Sequence, residues 1–237
     1  MNSKLTLAQR VNILRASVMG ANDGIISVAG IVVGVAGASA SNYGIFISGI
    51  AGMLAGTVSM AMGEYVSVST QKDSEKQAVA EEKSRLKLNY EHEFELVKQN
   101  YLAQGIRPDL AQKATEEMMQ KDPLVTTVRE RYGLNINEII DPYAAAIASM
   151  VSFPTGSLLP MLAITLFPEK IKIIATFIAV LIALALTGLG AAILSKADKK
   201  QGIIRNVISG TLTMAVTYLI GKIIGGVNAD EKNKFNE

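Results

Sequence analysis

The sequence predicts an all-α membrane protein: five transmembrane helices, with a cytoplasmic three-helix insert between the second and the third. Three observations predict this. Of 237 residues, 49% are apolar and the mean hydropathy is +0.30, which suits solvation by lipid better than a water-soluble core with a polar surface. Five separate stretches are long enough, at 1.5 Å per residue against a hydrocarbon core of roughly 30 Å, to cross a bilayer. Between the second and third of them the composition reverses, and charged side chains dominate residues 73–133.

The leader, residues 1–16, is expected to form an amphipathic helix along the inner interface. Thr6-x-x-Gln9 resembles a capping box, and Leu7, Val11, Leu14 and Val18 recur at helical spacing beside Arg10 and Arg15. It does not read as a signal peptide, because Lys4, Arg10 and Arg15 interrupt it and a span follows directly, so it is expected to be retained. The spans fall at about 17–38 and 44–68, forming one transmembrane pair within 17–68, and at about 143–167, 171–195 and 203–225, within 143–225. The gaps 39–43 and 168–170 are short enough only for turns, which makes each flanking pair an antiparallel hairpin. A tail, 226–237, follows.

Residues 69–142 form the insert. No proline interrupts 73–104, where Val79, Leu86, Tyr90, Phe94, Val97 and Tyr101 make one apolar stripe on a single helix of roughly 48 Å. Gly105 ends that helix, Pro108 and Pro123 each start another, Asp122 caps the third and Gly133 stops it. Lys4, Arg10, Arg15, Lys196, Lys199, Lys200 and Arg205 flank one side of the spans, and Lys170, Lys172, Lys232 and Lys234 the other. Seven against four predicts a cytoplasmic N-terminus and a cytoplasmic insert.

Composition narrows the chemistry. The 23 basic and 21 acidic residues nearly cancel, and no base-stacking pattern accompanies them, so no nucleic-acid partner is expected. Without cysteine there is no disulfide framework, thiolate zinc site or cysteine nucleophile; oxygen, imidazole and thioether ligands remain for a metal. A single histidine and the lack of a phosphate-cradling glycine loop argue against an enzyme, and no cofactor is expected beyond a transported ion.

Asp23 lies in Gly20-Ala-Asn-Asp-Gly24, ahead of an apolar run. An aspartate at mid-span costs roughly 2.5–3.5 kcal/mol, so it calls for a partner, an ion or a water-filled cavity; capping the span at the headgroups is the alternative. In the second span Gly49, Gly52, Gly56, Ser59 and Gly63 form a small-residue face. Beside it Met53, Thr57, Met60, Glu64, Ser67 and Gln71 share one stripe, while Met62 faces away. Met60 and Glu64, one turn apart, offer a borderline ion a soft and a hard ligand, a mixture suited to iron(II) or manganese(II). Pro154 and Pro160 free backbone carbonyls within the third span, either as a kink lining a pathway or as a structural kink. In the insert, Glu75, Glu82 and Glu93 flank the apolar stripe, whereas Glu81, His92 and Glu95 lie opposite; the later helices supply Glu116, Glu117, Met118, Met119 and Glu130. The alternative for all of these is a solvated charged face balanced by lysines.

The segments Ala21-Asn-Asp-Gly-Ile-Ile-Ser-Val-Ala-Gly30 and Gly56-Thr-Val-Ser-Met-Ala-Met-Gly-Glu-Tyr-Val-Ser-Val-Ser69 resemble the first two spans of the vacuolar iron transporter family. The resemblance continues through Arg129-Glu-Arg-Tyr-Gly-Leu134 and 152–160, covering nearly the whole chain. It implies five spans, a homodimer, and proton-coupled movement of Fe²⁺ or Mn²⁺ from the cytosol into a vacuole or out of the cell. The membrane would be the plasma membrane in a bacterium and the vacuolar membrane in a eukaryote. By the same resemblance Asp23 and Met60 match the membrane residues that handle the ion, and the insert matches a cytoplasmic metal-binding domain. Where eukaryotic members carry two further glutamates this chain has Gly52 and Arg131, the latter beside Glu130, and Glu64 belongs to a Gly-Glu-Tyr form. The expected metal-handling residues are therefore Asp23, Met60, Glu64, Glu82, Glu93, Glu116 and Glu130, with protons as counter-ion. A membrane-anchored metal sensor or store without transport is the competing expectation.

Overall fold

The computed structural model describes residues 6–136 and 140–234, the last seven of these by their backbone alone. Eight helices occupy the described residues: α1 (Leu7–Gly37), α2 (Asn42–Leu88), α3 (Tyr90–Ala103), α4 (Pro108–Lys121), α5 (Pro123–Tyr132), α6 (Pro142–Leu166), α7 (Lys172–Ser195) and α8 (Lys199–Lys234). No strand occurs among the described residues. Five of the helices, α1, α2, α6, α7 and α8, are long and apolar enough to cross a membrane. The chain divides into two compact units, Val11–Tyr65 with Pro142–Glu237, and Met1–Arg10 with Val66–Asp141.

In the first unit α1 is the central helix. Val28, Ala29, Val32 and Val33 are fully buried and share a core with Phe153, Met161, Val180, Leu184 and Met214 from α6, α7 and α8. Small residues let the backbones meet. A Cβ on Gly24 would overlap the Phe153 carbonyl oxygen of α6, and one on Gly156 would overlap that of Ala21 on α1. Hydroxyls tie the same seam: Ser149 donates to the Ala16 carbonyl at 3.3 Å and Ser157 to that of Gly24 at 3.2 Å. Helix α6 continues through both Pro154 and Pro160. The opposite faces are exposed and apolar, as on α7, where Ile174, Ile178, Ile182 and Leu186 recur every fourth residue. That is the inverse of a soluble bundle and fits lipid as the outer solvent.

The small-residue face of α2 is used over part of its length. Gly49, Gly52 and Gly56 are covered by Val32 and Ile31 of α1 and Met161 and Phe153 of α6, whereas nothing lies within 4 Å of a Cβ on Gly63. The α1–α2 turn places Ser39 in the left-handed region (φ 58), and Ser41 caps α2 by accepting from the Gly44 N–H at 3.1 Å. Lys196, also left-handed, closes α7, with the Ala197 N–H returning to the Ala192 carbonyl at 2.9 Å.

The leader is continuous with the first span in α1, since no glycine or proline separates them before Gly20; the Thr6/Gln9 capping box is present in both directions. In the other unit one expectation is corrected. The single helix over 73–104 is two: α2 runs on from the second span to Leu88 and α3 starts at Tyr90. Asn89 makes the break. Its side chain accepts from the His92 N–H at 3.1 Å, the local competition by which asparagine leaves a helix and starts the next. The remaining punctuation is as the sequence predicts: Gly105 and Gly133 take positive φ, Pro108 and Pro123 open α4 and α5, and Asp122 accepts from the Val125 N–H at 3.0 Å. Val97, Tyr101, Ala111 and Met119 form this unit's core, with Leu86 and Phe94 against it.

Candidate functional site

The seven expected metal-handling residues fall into separate settings, and no group of three or more His, Asp or Glu able to hold a metal forms among the described residues. Asp23 is exposed on α1, although Gly24, Ile25 and Ile26 immediately after it are buried. Beside it the Asn22 Oδ1 is buried without a hydrogen-bond partner. Met60 is half-buried and, like Met53, packs against the apolar core around α1, whereas Met62 is 56% exposed, in keeping with the opposite faces expected for them.

Glu64 is 6% exposed and is held by Arg15 of α1. The guanidinium donates through both terminal nitrogens, at 2.8 Å to Oε2 and 3.3 Å to Oε1, and the same group reaches the Asn12 Oδ1 at 3.1 Å and the Met19 sulfur at 3.4 Å. This bidentate clasp fixes the carboxylate and matches its charge. Sequence reasoning placed Arg15 in the leader's polar face and missed the pairing. The available signal was a buried-position carboxylate in an apolar span, which needs a counter-charge.

In the insert the structure brings Glu82 of α2 and Glu93 of α3 together. Both are buried, at 0% and 2% exposure, and Arg131 of α5 lies between them. Arg131 Nε is 3.0 Å from Glu82 Oε2, while a terminal nitrogen of the same guanidinium hydrogen-bonds Glu93 Oε2. The contact to Glu82 is off the N–H direction, so both Glu82 oxygens and Arg131 Nε lack a directed hydrogen bond. Burial pushes the Glu82 carboxyl above its ordinary value, the neighbouring Glu93 adds to this, and Arg131 opposes it. The flank assignment of Glu82 and Glu93 thus agrees with the burial pattern, and Glu81, His92 and Glu95 are exposed as expected of the far side.

Glu116 and Glu130 do not join that pair into one group. Glu116 is exposed on α4 and accepts from Gln112 at 2.7 Å. Glu130 accepts from Arg129 at 2.7 Å and from the Tyr101 hydroxyl at 3.3 Å, and burial together with the Glu130 charge raises the Tyr101 phenol. A buried Lys172 at the start of α7, donating to Asn42 Oδ1 at 2.6 Å, is a further charged group in the membrane unit that sequence reading counted only as a flanking cation.

Comparison with known proteins places these residues in a family. The VIT family profile matches residues 14–222. The vacuolar iron transporter of Acanthamoeba castellanii is 34% identical over 225 residues, covering 94% of this chain and 83% of that protein. Vacuolar iron transporter homolog 2.1 of Arabidopsis thaliana is 31% identical over 218 residues, 92% of this chain and 84% of that one. Vacuolar iron transporter homolog 1 of Oryza sativa subsp. japonica is 34% identical over 217 residues, 91% of this chain and 75% of its own. On the match over residues 14–222 and these relatives, the chain belongs to the VIT family.

Proposed function

We propose that this integral membrane protein is a homodimeric secondary transporter that carries iron(II) or manganese(II) out of the cytosol in exchange for protons. The observation that carries the reading is the exposed Asp23 on an otherwise apolar span. Left facing lipid, a carboxylate within a span costs up to roughly 2.5–3.5 kcal/mol, less toward the span's end, a cost that a second copy, a water-filled path and a passing cation remove together. Two copies would set two such carboxylates along one route. Met60 adds a thioether and Glu64 a carboxylate one turn nearer the insert, a donor set in which softness favours iron(II) and manganese(II) over magnesium.

In this reading the N-terminus and the insert, residues 69–142, are cytoplasmic, supported by the seven-to-four excess of basic residues on their side. The insert's carboxylates, foremost the Glu82–Glu93 pair with Glu116 and Glu130 nearer the solvent, collect the ion before it enters the span. The relatives' names, which say vacuolar iron transporter, support the cargo class.

The test is metal-driven flux in reconstituted vesicles loaded with a pH dye, presenting Fe²⁺, Mn²⁺, Zn²⁺ and Ca²⁺ one at a time. Uptake of Fe²⁺ or Mn²⁺ with opposite proton movement is expected, and Asp23→Ala abolishes both at equal protein content. Metal uptake without proton movement would overturn the exchange. Flux unaltered by Asp23→Ala would overturn the assigned route, and metal binding without any flux would return the chain to a sensor or store.

A further inference from the structure

We propose that Arg131 is a tethered cation occupying the insert's carboxylate pair, so that a divalent ion loads at Glu82 and Glu93 only by displacing the guanidinium. This rests on the reading of the insert as the domain that collects the ion. Three features of the triad carry it.

The first is charge and donor type. Glu82 and Glu93 come from different helices, α2 and α3, whose break at Asn89 turns the two carboxyl groups toward each other. Each presents a carboxyl oxygen to the same guanidinium, the ligand type that hard and borderline divalent cations take. Arg131 brings one positive charge to two carboxyl groups, where a divalent ion would bring two.

The second is incomplete satisfaction. A guanidinium that serves a buried carboxylate as a structural partner normally presents its N–H groups in line, in a bidentate fork. Arg131 does so toward neither glutamate. It meets Glu93 through one nitrogen, and its Nε lies 3.0 Å from Glu82 without a directed bond, so it holds that fully buried carboxyl by charge and not by a hydrogen bond. The contrast within this chain is Arg15, which engages Glu64 with two directed bonds.

The third is a way out. Arg131 is 19% exposed on its side chain, against 0% for Glu82 and 3% for Glu93, so it is the most exposed member of the triad. It sits in the last turn of α5, one residue before Tyr132 closes that helix. Its long stem can swing into water without moving a helix, whereas the carboxylates cannot.

The experiment measures Mn²⁺ binding to the purified full-length protein in detergent by the loss of free-ion EPR signal, alongside thermal stability with and without Mn²⁺. Arg131→Met keeps the stem and removes the cation. It is expected to bind Mn²⁺ at least about tenfold more tightly than wild type. Its melting temperature should be lowered without the ion and recovered by it. Arg131→Met/Glu82→Gln should lose that gain, and Arg131→Lys should stay close to wild type.

An Arg131→Met protein that binds Mn²⁺ with wild-type affinity would overturn the proposal. If Arg131→Met does not fold and Mn²⁺ fails to rescue it, while Arg131→Met/Glu82→Gln folds regardless of Mn²⁺, the triad is a structural clasp and the proposal also fails. Vesicle flux keeps the two readings apart: wild type without flux but with tighter binding in Arg131→Met removes the transporter and leaves the tethered cation.

Discussion

Replacing Arg15 with methionine removes the cation that faces Glu64 while keeping most of its stem. Glu64 is 6% exposed and Arg15 44%, and their closest contact is 2.8 Å. Two unit charges about 4 Å apart attract by about 4 kcal/mol at an effective dielectric of about 20. Breaking a fully buried pair costs about 3–5 kcal/mol, because the abandoned charge stays buried. Arg15 is nearly half exposed, so solvent already screens the attraction and the loss is discounted to about 2 kcal/mol. For a chain of this length that corresponds to a melting temperature lower by about 4–8 °C. Glu64→Gln removes the charge that needs a partner and should cost under about 1 kcal/mol. The double variant Arg15→Met/Glu64→Gln should then recover most of the stability lost in Arg15→Met, leaving a coupling of about 1–2 kcal/mol. Thermal unfolding of the four proteins in one detergent measures it. Equal losses in Arg15→Met and in the double variant would refute the reasoning, because the arginine would then act through packing alone.

Met60→Leu conserves volume and should cost under about 1.5 kcal/mol, yet it removes the sulfur. Transport of Fe²⁺ or Mn²⁺ in vesicles should fall sharply with stability near wild type, while Met62→Leu, on a side chain that is 56% exposed, should change little; two silent substitutions would leave the route to Asp23 and Glu64. The α1–α6 seam gives a third prediction. Gly156→Ala drives a methyl into the Ala21 carbonyl and should destabilise by about 3 kcal/mol. Gly63→Ala meets nothing within 4 Å and should gain up to about 1 kcal/mol of helix propensity there. Thermal unfolding checks both, and a tolerated Gly156→Ala would show that the seam is looser than its geometry.

The helices were legible because hydrophobicity, length and punctuation act locally. Gly105 and Gly133 permit a positive φ, Pro108 and Pro123 fix theirs for a first helical turn, and Asp122 caps with its side chain, so each acts at its own position. Asn89 was the exception. It sits within an unbroken apolar stripe, and asparagine is tolerated inside helices, so periodicity alone runs through it; only the closure of its side chain on the His92 N–H decides otherwise. The leader's fusion with the first span has the same origin in reverse, since nothing between Thr6 and Gly20 obliges the chain to turn.

Partners across helices were less legible, because they depend on how helices are rotated against one another and no local pattern reports that. The flank on which Glu82 and Glu93 lie could be read from 100° steps, and their burial agrees with it. Which cation answers them could not, for Arg131 is 38 residues from Glu93, just as Arg15 is 49 from Glu64. By periodicity and composition alone both arginines look like ordinary surface charges. A buried carboxylate nevertheless states a demand before its partner is known: it must be neutralised by a proton, an arginine or a metal ion. In the membrane unit Arg15 meets that demand for Glu64 with two directed bonds, and in the insert Arg131 meets it for Glu82 and Glu93 with one directed bond between them. Asp23 has exposure instead of burial, so its demand falls on whatever covers α1 in the bilayer. The three carboxylate settings are thus open at Asp23, clasped at Glu64 and loosely filled at Glu82 and Glu93, and the two arginines differ in how many directed bonds each must give up to release its partner.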